Sequence, residues 1–325
     1  MKVAFFDTHA FEISLYREEN KSHGHKLEFF QERLTPETAI LALGYPAVCA
    51  FVNDTLQHET LSLLKSGGTN LIALRCSGYN HIDLKSTQEL GINVVYVPHY
   101  TPHAVAEHAV ALMMGLNRKT HLAYNRVRDF NFQLDGLVGF NFFQKKVGII
   151  GTGQIGKVLA QIMKGFGCHV FCYDSSPDLT WAEENNFTYL DLDQLLVQSD
   201  ILSLHVPLTK QTHHLINKGR ILLMKEGVMI INTGRGALID TEALIEGLKS
   251  KHVGAAGLDV YELEKDIFFQ DFSNKGINDD ILARLISLPN VLLTGHQGFL
   301  TNEALLEITQ TTLTNISQFE KSSQT

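Results

Sequence analysis

Six consecutive residues, Gly151-Thr152-Gly153-Gln154-Ile155-Gly156, carry the most specific chemistry in the sequence. A G-x-G-x-x-G string alone is weak evidence, because glycines recur in loops. Its flanks strengthen it. Lys146-Val147-Gly148-Ile149-Ile150 reads as a short buried strand, and Ile155, Val158, Leu159, Ile162 and Met163 fall on one face of a 3.6-residue period. A helix therefore opens inside the motif, with Gln154 and Ile155 in its first turn. Gly151 permits a tight turn, Gly153 lets backbone approach a pyrophosphate, and Gly156 lets the helix pack close to the strand. The helix N-terminus offers unpaired N–H groups and a positive dipole end to phosphates. The helix stops near Gly165 and Gly167, and a second apolar run, Val170 to Tyr173, ends on Asp174. An acid about 20 residues past the glycines is placed to grip ribose hydroxyls of a dinucleotide. A carboxylate there repels a 2′-phosphate. Ser175, Ser176 and Pro177 follow, and no Lys or Arg appears until Lys210, so the sequence favours NAD over NADP.

Three further sets of ionisable residues stand just past apolar runs. Arg235 lies in Asn232-Thr233-Gly234-Arg235-Gly236; Asp259, Glu262 and Glu264 lie in Leu258-Asp259-Val260-Tyr261-Glu262-Leu263-Glu264; His296 lies in Thr294-Gly295-His296-Gln297. An Arg can clamp a carboxylate through paired donors. A His can pass a proton near neutral pH, and a carboxylate can orient it and stabilise its protonated form. These are the parts needed to reduce a 2-keto acid with NADH. The chain has 15 histidines, so its residue types alone leave open whether His296 is catalytic or structural.

These groups need strands and helices to hold them. In the first hundred residues, strand-like runs at Val3–Phe6, Ala47–Val52, Leu71–Leu74 and Val94–Val97 alternate with helical patterns such as Thr60–Lys65 and Leu84–Leu90. From Lys145 the alternation restarts, with runs at Val147–Ile150, Val170–Tyr173, Ile201–His205, Val228–Asn232, Ala255–Val260 and Val291–Leu293. Repeated strand–helix alternation implies mostly parallel sheets covered by helices, and six strands suit a full dinucleotide-binding sheet. Ala104 to Leu122 reads as one long helix entered through Pro102, and Asn302 to Phe319 as another that closes the chain. Two long helices at the junctions predict that the C-terminus returns to the first unit, with a cleft between the units.

Bulk properties narrow the function. With 325 residues, two domains are expected, and 44% apolar residues can fill sizeable cores. Net charge is −8 and no basic stretch stands out, which argues against a nucleic-acid surface. No apolar run approaches a membrane span, and the N-terminus reads as a strand rather than a signal peptide. Cys49, Cys76, Cys168 and Cys172 form no C-x-x-C pair, which suits a reducing cytoplasm.

The chain resembles the D-isomer-specific 2-hydroxyacid dehydrogenases, and most closely their fermentative NAD-dependent D-lactate branch. The resemblance covers nearly the whole chain. Besides the segments already quoted, it is carried by Phe51-Val52-Asn53-Asp54, Arg75-Cys76-Ser77-Gly78-Tyr79-Asn80, Val105-Ala106-Glu107-His108 and His205-Val206-Pro207-Leu208-Thr209. It implies two doubly wound parallel-sheet α/β domains, a Rossmann cofactor domain (101–298) inserted in a flavodoxin-like substrate domain (1–100 and 299–325). It implies an Arg235–Glu264–His296 catalytic set, with Arg235 and His296 also touching substrate. Amides of Gly78 and Tyr79 are implied to bind the substrate carboxylate, with Tyr100 beside them and Phe51 and Phe299 near the substrate's side chain. Val206, Pro207 and Asp259 are implied in the nicotinamide half of the cofactor site, and Thr233, Gly234 and Arg235 along the cofactor. The implied reaction is reversible reduction of pyruvate to D-lactate, and the implied assembly a homodimer or homotetramer. Two other readings stay open: a reductase of hydroxypyruvate or a branched-chain keto acid, and a non-enzymatic NAD-sensing scaffold like the family's corepressors.

Other candidates have plainer readings. His99, His103 and His108 with Glu107 lack a full H-E-x-x-H arrangement, so no metal site is expected. His213-His214 reads as a surface pair in a polar loop. The Phe-rich stretch Phe130–Phe143 reads as packing at a subunit or domain contact, and Phe268-Phe269 as interface or lid.

Overall fold

Short apolar runs alternating with amphipathic stretches build two parallel sheets, one in each of two units. The first unit is Met1–Thr101 with the chain from Leu300 onward; the second is Pro102–Phe299. The computed structural model describes residues 1–79 and 81–323. Asn80, at the end of the Arg75–Asn80 motif, and Gln324 and Thr325 of the C-terminal segment lie outside the described residues.

The first sheet comprises β1 (Lys2–Phe5), β2 (Lys26–Phe29), β3 (Ala47–Ala50), β4 (Leu71–Leu74) and β5 (Asn93–Tyr96). Its order is β2-β1-β3-β4-β5 with every pair parallel, the flavodoxin-like order. Both faces are covered. Val3, Phe5, Ala47, Cys49, Leu71 and Ala73 pack with Tyr16 and with Leu313 and Ile316 of the closing helix Asn302–Ser322. Ala4, Phe6, Val48, Ala50, Ile72 and Leu74 pack on the other side with Leu34, Leu61 and Leu64. Burial on both faces is why the central strands read as unbroken apolar runs. β2 is absent from the reading of apolar runs because Lys26-Leu27-Glu28-Phe29 alternates polar and apolar residues, as an edge strand does. The closing helix lies along helix Ala10–Glu19, and its Glu320 meets the N-terminal ammonium at 2.5 Å.

The second sheet comprises β6 (Lys146–Ile150), β7 (His169–Tyr173), β8 (Thr188–Tyr189), β9 (Ile201–Leu204), β10 (Val228–Asn232), β11 (Val253–Leu258) and β12 (Val291–Leu293). The order is β12-β11-β10-β9-β6-β7-β8, again parallel. Counted from its own first strand, this is the dinucleotide-binding order 3-2-1-4-5-6 with a seventh strand added. The expected count of six misses β8, whose two residues are too few to show a pattern. β11 ends at Leu258, so Asp259 and Val260 stand beyond it. Val147 and Ile149 pack with Leu112, Met113, Leu159 and Met163 on one face, and Ile150, Leu202, Leu204 and Ile230 with Leu244 and Leu248 on the other.

The single long helix expected at the start of this unit is two helices, Pro102–Arg118 and Thr120–Arg128. Lys119 between them has φ +49, a left-handed conformation that no helix can continue through. The first helix packs on β10, β11 and helix Gln154–Gly165.

Strand order reverses between β1 and β3 in the first sheet and between β6 and β9 in the second, and ligands of such sheets bind at that reversal. In the first unit a buried charge network occupies this place. Arg75, fully buried just past β4, donates from Nε and Nη2 to the Glu12 carboxylate (2.9 and 3.1 Å) and from Nη2 to the Asp7 carbonyl (2.7 Å). Its guanidinium lies 4.7 Å over the Phe51 ring. The Asp54 carboxylate accepts the Phe51 and Leu34 N–H groups (2.6 and 2.7 Å), and burial pushes its pKa up to about 7. Phe51, one residue past β3, is thus held through both ring and backbone. Glu12→Ala strands a buried guanidinium, so a loss of about 3–5 kcal/mol is expected. Chemical denaturation of the whole chain measures it, and a loss under about 1 kcal/mol, the range of an exposed pair, would contradict the network's importance.

Candidate active site

The glycine turn is built as its sterics require. Gly151 has φ +95, and a Cβ there would stand 2.6 Å from the His205 carbonyl oxygen and 2.9 Å from Val206 Cγ1. The turn therefore lies against the segment leaving β9, at the strand-order reversal. A Cβ on Gly156 would fall 1.9 Å from the Gly151 carbonyl oxygen, so helix Gln154–Gly165 could not start where it does with any other residue. A Cβ on Gly153 would meet nothing within 4 Å, and the helix has no side-chain cap. Its first-turn N–H groups, on Gln154, Ile155 and Gly156, are left to a ligand, and a pyrophosphate fits there.

Asp174 follows β7. Its Oδ2 accepts the Thr152 N–H (2.7 Å) and hydroxyl (3.1 Å), while Oδ1 accepts the Ser176 N–H at 2.9 Å. An ionised carboxylate offers about four acceptor sites, so Oδ1 keeps room for a ribose hydroxyl. A cavity of about 270 Å³ opens beside it, between Tyr173, Pro177, Tyr189 and Gln194. Thr152, a position the motif leaves unspecified, turns out to orient the acid.

The loop after β10 presents Arg235. Asn232 staples it: Oδ1 accepts the Gly234 N–H (3.1 Å) and Nδ2 donates to the Arg235 carbonyl (2.8 Å). Arg235 Nη1 donates to the Gly234 carbonyl at 2.8 Å. A Cβ on Gly236 would stand 2.1 Å from the Tyr261 carbonyl carbon, so this loop presses on the segment that leads to Glu264. Thr233 Oγ1 is buried with no hydrogen-bond partner among the described residues, which suits a cofactor group completing it. His205, hydrogen-bonded to Ser203 (2.8 Å), is pushed by burial down to about 4, so it is a neutral ring beside Val206 and Pro207.

His296 and Glu264 meet. His296 Nδ1 lies 2.7 Å from Glu264 Oε1, and both side chains are more than four-fifths covered. Glu264 Oε2 accepts the Tyr261 N–H (2.8 Å), which fixes the carboxylate. His296 has φ +54, a strained backbone for a residue with a side chain. Asp259 holds it. Its carbonyl accepts the His296 N–H (2.7 Å); Oδ1 accepts Thr294 Oγ1 (2.5 Å) and the Gln297 N–H (2.9 Å); Oδ2 accepts the Gly298 N–H (2.7 Å). His108 Nε2 lies 3.2 Å from Oδ1 and 2.9 Å from Thr294 Oγ1. Burial raises the Asp259 pKa, but the bonds from His108, Thr294 and Gln297 outweigh it and hold the carboxyl below its usual range. Asp259 is 1% exposed, with both oxygens engaged inside the protein. Its side chain works as a clamp for the His296 turn, and Phe299 follows directly on that turn. Residue types alone do not reveal this role, nor that of His108, which lies 186 positions from Thr294.

Glu262 turns away from His296. Its Oε1 lies 2.6 Å from His214 Nε2 and its Oε2 accepts Thr241 Oγ1 at 3.1 Å. His214 is therefore engaged rather than a simple solvated surface residue. In the first unit, Cys76 Sγ donates to the Gly78 carbonyl (3.1 Å), the exposed Tyr79 ring lies 5.6 Å from that of Tyr96, and Tyr100 is half-buried.

Residues 110–298 match the family model "D-isomer specific 2-hydroxyacid dehydrogenase, NAD binding domain". The chain belongs to the D-isomer-specific 2-hydroxyacid dehydrogenases. It is 50% identical over 321 residues to a D-lactate dehydrogenase of Escherichia coli, covering 99% of this chain and 97% of that one. It superposes on the pyruvate reductase of Chlamydomonas reinhardtii with a TM-score of 0.94 at 42% identity, over 99% and 97% of the two chains. It superposes on a D-lactate dehydrogenase of Aquifex aeolicus, solved with NAD and lactic acid, with a TM-score of 0.87 at 33% identity over 98% and 96%. This family member is an NAD-dependent oxidoreductase, and the glycine turn, the uncapped helix start and Thr233 fit the cofactor. No helix among the described residues is long and apolar enough to cross a membrane.

Asp174 sets a cofactor prediction. Two unit charges at about 4 Å interact by about 4 kcal/mol at an effective dielectric of about 20. Allowing for solvent screening, NADH is expected to exceed NADPH by roughly a hundredfold in kcat/KM. Steady-state kinetics with both cofactors checks this, and comparable efficiencies would contradict it.

Proposed function

We propose that this chain reduces pyruvate to D-lactate, reversibly, with His296 as the proton donor. The observation that carries the proposal is the 2.7 Å approach of His296 Nδ1 to Glu264 Oε1. An ionised carboxylate only accepts, so Nδ1 carries a proton toward Glu264 and Nε2 is the atom that exchanges one with substrate. Bound NADH supplies the hydride to the keto carbon. His296 passes its Nε2 proton to the keto oxygen as that oxygen gains charge, and Glu264 stabilises the imidazolium that precedes the transfer. In the reverse direction neutral His296 takes the hydroxyl proton. Arg235, on a loop stapled by Asn232, grips the substrate carboxylate with its planar fork and polarises the keto group.

The remaining roles are proposed on the family likeness. Amides of Gly78 and Tyr79 also hold the carboxylate, Tyr100 stands beside them, and Phe51 and Phe299 limit the substrate's side chain. Val206, Pro207, Thr233, Gly234 and Asp259 serve the cofactor, Asp259 through the turn that it clamps. The named activities of the Escherichia coli, Chlamydomonas and Aquifex relatives support pyruvate as substrate.

The protein works in the cytoplasm, where its four free, buried cysteines stay reduced. It works as a homodimer or homotetramer. Phe130 and Val138 are 85% and 83% exposed, with Phe132, Leu134 and Phe143 also exposed, and a second copy would cover this apolar run.

Incubation of the purified chain with NADH and a panel of 2-keto acids tests the activity. Pyruvate is expected to give the highest kcat/KM and D-lactate the sole product. Preference for hydroxypyruvate or a branched-chain acid would reassign the substrate, and no turnover at all would favour a binding protein.

His296→Gln is expected to abolish turnover while NADH still binds, as read by nucleotide fluorescence. Glu264→Gln loses the carboxylate that holds the His296 ring through Nδ1, so kcat for pyruvate reduction should fall roughly tenfold or more while NADH still binds. An unchanged kcat would remove Glu264 from this role.

A further inference from the structure

Among the described residues, and outside the proposed catalytic set, one cluster of side chains has the composition and spacing of a metal site. We infer that His213, His214 and Glu262 bind a divalent transition-metal ion of the zinc, nickel or copper kind. One ligand atom from each lies within 4.8 Å of the others. Two imidazoles and a carboxylate suit these ions rather than magnesium or calcium, which prefer all-oxygen sites. Zinc bonds to such ligands are about 2.0–2.2 Å long, so ligand atoms on a tetrahedral ion sit roughly 3.3 Å apart. The 2.6 Å contact between His214 Nε2 and Glu262 Oε1 must open slightly, and His213 must swing inward. His213 is exposed, so its ring can move. Three protein ligands leave a fourth position to water.

The cluster is built, not incidental to a loose loop. Successive side chains on extended chain point to opposite sides. Here His214 adopts φ +49, and the two rings stack on one side, 4.0 Å apart and inclined by 27°. Backbone bonds hold that turn: His213 N–H to the Thr209 carbonyl (2.9 Å) and His214 N–H to the Ala237 carbonyl (2.8 Å). Thr212 Oγ1 donates to the Pro207 carbonyl at 2.6 Å. Glu262 comes from the segment after β11, and its second oxygen is oriented by Thr241, the kind of outer support that ligating carboxylates have. Among the described ion pairs the partner of Glu262 is His214, and no Lys or Arg competes for it. A bound ion would tie the loop after β9, which carries Val206 and Pro207, to the segment that ends on Glu264.

The test uses the full chain, stripped with chelator and titrated with cobalt(II) and then zinc chloride by absorption spectroscopy and calorimetry. The wild type is expected to take up one equivalent of cobalt with the intense visible bands of a four-coordinate ion, and zinc to displace it. His213→Gln and Glu262→Gln should each weaken that site roughly tenfold or more, while Thr241→Val weakens it less. His213 is exposed, so its variant folds even if Glu262→Gln does not; circular dichroism and NADH binding verify both. No such spectrum in the wild type, or equal affinity in the wild type and His213→Gln, would overturn the proposal.

Discussion

The hydrogen bond between Glu264 and His296 is the constraint on which the rest of the site depends. A free imidazole is ambiguous, with two nitrogens, two tautomers and a mobile ring. A carboxylate on Nδ1 removes all three ambiguities, because it accepts only a proton-bearing nitrogen and fixes the plane in which the ring lies. The 2.7 Å contact needs support from both ends. Glu264 is fixed by the Tyr261 N–H, and His296 is fixed by Asp259, which holds a backbone whose positive φ costs on the order of 1–3 kcal/mol. Asp259 supports this strain because its carboxyl is buried, ionised and bonded to Thr294, Gln297 and Gly298 at once.

The same segment links the site to the sheet. Asp259 N–H donates to the Asn232 carbonyl at the end of β10, and the Asn232 side chain shapes the Arg235 loop. Gly236 lets that loop press on Tyr261. Glu264, His296 and the Arg235 loop therefore stand just past the adjacent parallel strands β11, β12 and β10, joined by short bonds. At the strand-order reversal Gly151 meets His205 too closely for any side chain, and the cofactor's phosphates have an uncapped helix end to bind.

The parts legible in sequence were those governed by short-range rules. Central strands such as Leu71–Leu74 announce themselves because both faces are buried, and the glycine motif because a Cβ at Gly151 or Gly156 has nowhere to go. Two of the four edge strands escape that logic: β2 alternates in character and β8 is two residues long, whereas β5 and β12 keep apolar runs. The break at Lys119 is a single left-handed residue inside a helical pattern, with no glycine to mark it. Side-chain partnerships over long separations were the least legible. Glu262 and Glu264, two positions apart, bond to different histidines, His214 and His296, and only the folded chain tells them apart. The proposed catalytic grouping of Arg235, Glu264 and His296 rests on family likeness, because residue types alone leave His296 open.

The central claim is that Glu264 fixes the tautomer of His296 so that Nε2 faces the substrate. Nitrogen-15 NMR of histidine-labelled protein, with His296 assigned by its loss in His296→Gln, measures this directly. The account predicts that neutral His296 is the Nδ1–H tautomer in the wild type and loses that preference in Glu264→Gln. A wild-type His296 carrying its neutral-state proton on Nε2 would contradict it.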